Sequence, residues 1–208
     1  MQNLLRFIFG GLMVLFLAFW GYQSAQSADF ARTRQYEILK AFGLDVANLK
    51  AADRGRLFKQ KIVEAAIDAK GELMRGRQAR GRRVSQGVYP LYVYRENGRV
   101  IAYGFPLIKS ASPRIIYGYA SVSADTKTLR GVAWRISPKD TAQRKEQIWK
   151  FTAGLRGKKI WDTRNKTVKP LGETGNRDNF SLEQTIAAVL DDNLRHYDPF
   201  FRKFRRNK

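Results

Sequence analysis

Cysteine is missing from this chain, and histidine occurs once, as His196. The first absence excludes disulfides, thiolate metal sites and cysteine nucleophiles. The second excludes a multi-histidine metal centre and any Ser-His triad away from residue 196. His196 sits in LRHYDPFF, near the end of an expected helix, and reads as a solvated or capping residue rather than a catalytic one. Acids are scarce: 18 Asp and Glu face 39 Lys and Arg, for a formal charge of +21. That excess points to a polyanionic neighbour, whether a membrane surface, an acidic protein or nucleic acid, and charge alone does not choose among them. Internal repeats, a P-loop and a dinucleotide glycine fingerprint are also missing. At 208 residues there is room for one anchor and one domain with its own core.

One long apolar run is present. Leu4 to Tyr22 reads LLRFIFGGLMVLFLAFWGY, nineteen residues, enough at the helical rise to cross the hydrocarbon core. Arg6 is close enough to its end to snorkel, and Trp20 and Tyr22 fit an interfacial belt. Gly10-Gly11 would allow a close helix neighbour. The competing reading is a cleaved signal peptide with Ala25-Gln26-Ser27 as its site. The length of the run favours a retained anchor. Arg6 precedes the span and Arg32, Arg34 and Lys40 follow it, so the positive-inside rule weakly favours a cytoplasmic domain.

Helical spacing covers Ala28 to Lys50, with Ile38, Leu39, Phe42 and Leu44 apolar and Gly43 as a stop. A second helix is expected over Arg54 to Lys70 from Leu57, Phe58, Ile62, Val63, Ala66 and Ile67. Arg75 to Arg83, RGRQARGRR, has five arginines and no apolar period, which predicts a loop. Leu91–Tyr94 and Val100–Phe105 flank Asn97-Gly98, a hairpin signal. Ile115–Ser123 and Thr128–Ile136 read as strands about an Asp125–Lys127 turn. Gln143–Leu155 is helical, Trp161–Val168 is an edge hairpin, and Leu182–Tyr197 is a helix capped by Ser181. Its core face is Ile186, Val189, Leu190 and Leu194. Asp191-Asp192, the one tight carboxylate pair, is expected to be exposed on that helix. The tail, FFRKFRRNK, mixes aromatics and cations. These elements make an α+β domain, a twisted antiparallel sheet packed with helices.

Three stretches carry a family resemblance: YEILKAFGL at 36–44, LYVYRENGRVIAYGFPLIKSASPRIIYGYASVSADTKTLRGVAWR at 91–135, and RGKKI at 156–160. In this order, behind an apolar anchor, they resemble NqrC, the membrane-anchored, FMN-carrying subunit of the sodium-translocating NADH:quinone reductase, and its relative RnfG. The resemblance implies a single transmembrane helix followed by an FMN-binding-domain-like domain. The expected divisions are 1–27 for the anchor, 28–88 for a helical linker and basic loop, 89–201 for the domain and 202–208 for a basic tail. It also implies a bacterial inner-membrane address with the domain in the periplasm, against the charge rule, and other complex subunits as partners.

The resembled family shapes its flavin site from three segments. The strand entry is kept here as Pro113 to Tyr119, with Tyr117 and Tyr119 as candidate ring contacts. The Glu-Thr-Pro-Gly-Leu-Gly segment becomes Lys139-Asp140-Thr141-Ala142-Gln143-Arg144, where only Asp140-Thr141 survives and both glycines are lost. Glycine there would let backbone amides approach a ligand closely. The attachment signature, Ser-Gly-Ala-Thr-x-Thr before the last helix, falls on Arg177 to Leu182 with no threonine in register. Ser181 and Thr185 are the nearest hydroxyls. The resemblance thus implies no covalent FMN, leaving a noncovalent FMN, stacked by Tyr103, Tyr117, Tyr119 and Trp134, as the alternative. Those aromatics at strand spacing are read first as core.

Three functions compete at this point. One is a structural or accessory subunit of a membrane redox complex, and the second is an electron carrier with noncovalent FMN. The third is a basic module in which Arg75, Arg77, Arg80, Arg82 and Arg83, with Arg202, Lys203, Arg205 and Arg206, dock membrane lipid or an acidic redox protein. The anchor and the implied outer-face address argue against nucleic acid.

Overall fold

The computed structural model describes residues 32–74, 87–108, 117–135, 141–162, 167–168 and 182–206. Helix α1 covers 32–41. It stops where Gly43 enters the left-handed region at φ 76°. Gly43 N donates to Lys40 O, and Leu44 N donates to Leu39 O at 3.1 Å. These two bonds are a Schellman cap, and glycine takes its φ without a Cβ penalty. The helix thus ends at the stop expected from Gly43, and the helical spacing beyond it, to Lys50, does not form helix.

Helix α2 (Ala51–Lys61) passes without a loop into strand β1 (Ile62–Ile67). The second helix therefore starts earlier than expected and ends nine residues sooner, at Lys61 rather than Lys70. A short apolar run is ambiguous between helix and strand periods. Here the β-branched and small residues of IVEAAI pair along their whole length with strand β3 (Tyr89–Glu96), from Ile62 opposite Tyr94 to Ile67 opposite Tyr89. The stretch expected as helical linker thus supplies strands β1 and β2 (Leu73–Met74) of the main sheet.

The other strands fall where the hairpin and turn signals placed them. β3 and β4 (Arg99–Ile108) join through Asn97-Gly98, both at positive φ, 49° and 75°. This matches the primed turn whose twist suits a hairpin. β5 (Tyr117–Ser123) and β6 (Leu129–Arg135) follow, and Asp125 Oδ1 accepts from Lys127 N at 3.0 Å in the turn between them. The sheet is six-stranded and antiparallel, in the order β2-β1-β3-β4-β5-β6. Helix α3 (Ala142–Gly154) leads into 156–160, which pairs with the start of β6: Gly157 N donates to Leu129 O and Leu129 N to Lys158 O. That segment covers an edge that would otherwise present free backbone groups. β7 (Trp161–Asp162) and β8 (Thr167–Val168) form the expected small hairpin.

Each face of the sheet has its own core. One face, with Leu91, Val93, Tyr103, Phe105, Val122 and Trp134, packs against α3 and α4 (Leu182–Arg206). The other, with Tyr92, Tyr94, Ala102, Tyr119 and Ala133, packs against α1 and α2. Alternation along each strand sends neighbours to opposite cores. In α4 the expected core face of Ile186, Val189, Leu190 and Leu194 is buried.

The tail is a correction. α4 does not stop at Tyr197 but runs through Pro199 to Arg206. Proline removes one helical bond. Compensation comes from Phe200 and Phe201, both buried, and from Phe204 packed on the same core. Gly71 lies against this stretch: a Cβ there would sit 2.4 Å from Phe200 N. Among the described residues no helix is long and apolar enough to cross a membrane. Leu4 to Tyr22 and Arg75 to Arg83 lie outside the described residues.

Two substitutions probe this packing. Gly71→Ala meets both a positive φ of 78° and a backbone clash, and should cost about 2–4 kcal/mol in urea unfolding. Phe201→Ala, which empties a fully buried ring, should cost about 3–5 kcal/mol.

Candidate functional site

Strand alternation sets Tyr117 and Tyr119 on the α1 side of the sheet. There Tyr119 meets Tyr92 of β3 edge to face, ring centroids 5.8 Å apart. Arg34 reaches down from α1 and donates to Glu64 of β1 at 2.6 Å. Glu37, one turn further along α1, is a buried acid that feels the charge of Arg135 at the end of β6. These seven side chains form a group of titratable residues between α1 and the sheet.

Burial dominates their electrostatics. It raises the Tyr92 and Tyr119 hydroxyls above the ordinary phenol range, more than nearby Arg34 lowers them. It also raises the Glu37 carboxyl, against the pull of Arg135. The phenols therefore stay protonated and can donate. Tyr92 and Tyr119 are only 7% and 4% exposed, so neither offers an open surface to a ligand. The group holds α1 on the sheet. Ser121 Oγ donates to Ala41 O at 2.6 Å and Arg130 Nε to Phe42 O at 3.1 Å. Both bonds satisfy carbonyls left open at the helix end.

Two of the expected ring contacts, Tyr103 and Trp134, are not brought together with Tyr117 and Tyr119. Tyr117 and Tyr119 face α1, whereas Tyr103 and Trp134 belong to the opposite core. Tyr103 lies edge-on to Phe200 and Phe204, each at 5.2 Å. Trp134 Nε1 donates to Thr152 Oγ1 at 3.0 Å, and that hydroxyl donates to Ile148 O. Thr141 caps α3, its side chain accepting from Arg144 N at 3.2 Å. Thr185 belongs to α4, across the sheet from Tyr119. Asp140 and Ser181 lie outside the described residues. Among the described members of the set, Tyr103, Tyr119 and Trp134 serve the core.

The remaining candidates separate in the same way. Arg202 pairs with Asp198 at 2.6 Å, and Lys203 pairs with Glu72. Arg205 and Arg206 lie in the last turn of α4, and the five arginines of the basic loop are outside the described residues. His196 is exposed and stacks on Tyr89 at 5.3 Å. Asp191 is buried, contrary to the expected exposure, because its position on α4 turns toward the core rather than to solvent. Among the described residues no group of three or more His, Asp or Glu is placed to hold a metal ion. The Arg34, Glu37 and Glu64 group escaped the sequence reading. Its one signal was an acid directly before the apolar pair Ile38-Leu39.

Glu37 gives a pH signature. Its folded-state pKa is raised, so its contribution to stability is complete below the unfolded value and is lost as pH rises through the folded one. Glu37→Gln should therefore unfold at higher urea than the parent at neutral pH, with the gain vanishing in acid. Paired urea titrations at the two pH values check this.

No protein-family model matches the chain, and no curated protein sequence matches it. Solved structures do. The NqrC subunit of the Na(+)-translocating NADH-quinone reductase from Parabacteroides distasonis superposes with a TM-score of 0.65 at 18% identity, over 86% of this chain and 96% of that one. Shewanella oneidensis NqrC superposes with a TM-score of 0.59 at 12% identity, over 84% of this chain and 98% of that one. The six-stranded sheet with a helical layer on each face is thus, in this chain, the fold of the NqrC subunits.

Proposed function

We propose that the chain is a membrane-anchored subunit of a bacterial membrane redox complex, with an NqrC-like domain that lacks covalent FMN and acts as a structural or accessory element. The observation that carries this reading is the fold shared with two NqrC subunits over most of their length. The sequence adds an apolar run long enough to span the membrane and an attachment segment without a threonine in register. The packing of Tyr119 and Trp134 into opposite cores supports the loss of a flavin site. Other subunits of the complex are the partners, and the domain lies in the periplasm, tethered to the inner membrane.

A second reading rests on one residue. Tyr117 is the member of the aromatic set that is not buried, and it opens β5 from the retained strand-entry segment. An electron carrier holding FMN noncovalently would use that end of the sheet.

Two measurements on protein purified from native membranes decide between these readings. The intact mass should equal the polypeptide with no FMN increment. An increment on Ser181 or Thr185 would overturn the proposal. Flavin fluorescence released by denaturation, with an unchanged protein mass, would select the noncovalent carrier. Amino-terminal sequencing should find residues ahead of the apolar run, whereas a mature start near Ala28 would remove the anchor.

A further inference from the structure

A ladder of cations and rings runs over the surface where α1 meets α3, beside the covered β6 edge. Arg54 lies over Tyr36 at 5.1 Å, and Lys40 Nζ lies 6.0 Å from the same ring and 3.2 Å from the centre of Trp149. Trp149 is nonetheless 39% exposed, one of three large apolar side chains in that position among the described residues. Arg156, Lys158 and Lys159, all exposed, continue the surface along the segment that covers β6.

The charge here is one-sided. Residues 32–61 and 141–160 together hold fourteen Lys and Arg against four acids, Glu37, Asp45, Asp53 and Glu146. Glu37 is buried, Asp53 is paired with Arg56, and Glu146 is paired with Lys150 at 2.8 Å; of the cations, Arg34 and Lys61 are paired with Glu64 and Glu96 outside these segments, which leaves the excess positive. We propose that this α1–α3 face is a docking surface for anionic phospholipid headgroups, with Trp149 as its interfacial side chain. Tryptophan amid lysine and arginine suits the headgroup layer, where a ring can be half wet and cations meet phosphate.

The choice of lipid over an acidic protein rests on the anchoring proposed above. Nine residues separate Tyr22 from Arg32, a reach of at most about 35 Å when fully extended. α1 is therefore held close to the bilayer. Attraction by a basic surface acts within a screening length of about 8 Å, so the tether keeps returning the face to where it can bind.

Because the chain has no cysteine, a single introduced thiol can be labelled cleanly. Ala153 is exposed, one turn from Trp149 on α3. The full chain carrying Ala153→Cys, labelled with bimane, is reconstituted into nanodiscs of phosphatidylcholine alone or with added phosphatidylglycerol. The expected result is a blue shift and protection from aqueous iodide in the anionic discs only, reversed by high salt. A label at Arg195→Cys on α4 should stay wet throughout. Replacing Arg156, Lys158 and Lys159 with glutamine should weaken docking about fivefold per residue, on the order of a hundredfold together. A label equally wet in both discs, on a chain that resists alkaline carbonate, overturns the docking and leaves the anchor standing. Protection in native membranes but in neither disc assigns the face to a protein partner and overturns the lipid assignment. Release of the chain by carbonate overturns the anchoring, and this geometry with it.

Discussion

The close seat of α1 on the sheet is the constraint on which the rest of the structure depends. It needs two positions without side chains. A Cβ at Gly104 would stand 2.6 Å from the Phe42 ring, and one at Gly131 would stand 2.6 Å from Ala41 O. Real Cβ atoms do not come so near backbone or a packed ring, so any larger residue would lift the helix. Once seated, α1 buries Ile38, Leu39 and Phe42 and brings Arg34 within reach of Glu64. Tyr92 and Tyr119 lose their solvent in consequence. The electrostatic character of the interior polar group follows from a steric condition on β4 and β6.

The same seat bears on chemistry. An NqrC-like sheet has two faces, and here each is filled by helices and by aromatic rings that touch one another. Tyr119 against Tyr92 and Trp134 bonded to Thr152 are satisfied within the protein. A ring system could enter either of these two cores only by displacing contacts of that kind.

The hairpin elements were legible in the sequence because their signals are local. Asn97-Gly98 sets its own turn, Gly43 its own cap, and the β-branched and aromatic runs of β3 to β6 need no distant partner to be seen. The α2–β1 join was not legible. Ile62, Val63, Ala66 and Ile67 fit a helical spacing, and only pairing with β3, some thirty residues later, makes them a strand. The last turns of α4 were lost for a similar reason. Pro199 and the run of cations argue locally for a tail, while the partners of Phe200 and Phe204 are Tyr103 of β4 and each other. The interior acids were hidden too, since nothing in a run of residues says that Glu37 faces inward.

The join of α2 to β1 also governs how force moves through the molecule. β1 lies inside the sheet, between β2 and β3, and the chain reaches it from α1 through α2 with no slack segment after residue 50. α1 is bonded at its far end to β5 and β6 through Ser121 and Arg130. A pull at residue 32 therefore loads both halves of the sheet at once, and the backbone bonds of the ladder share the strain. The amino-terminal helices are in this way fastened to the sheet at two separate places, the β1 strand and the β5–β6 pair.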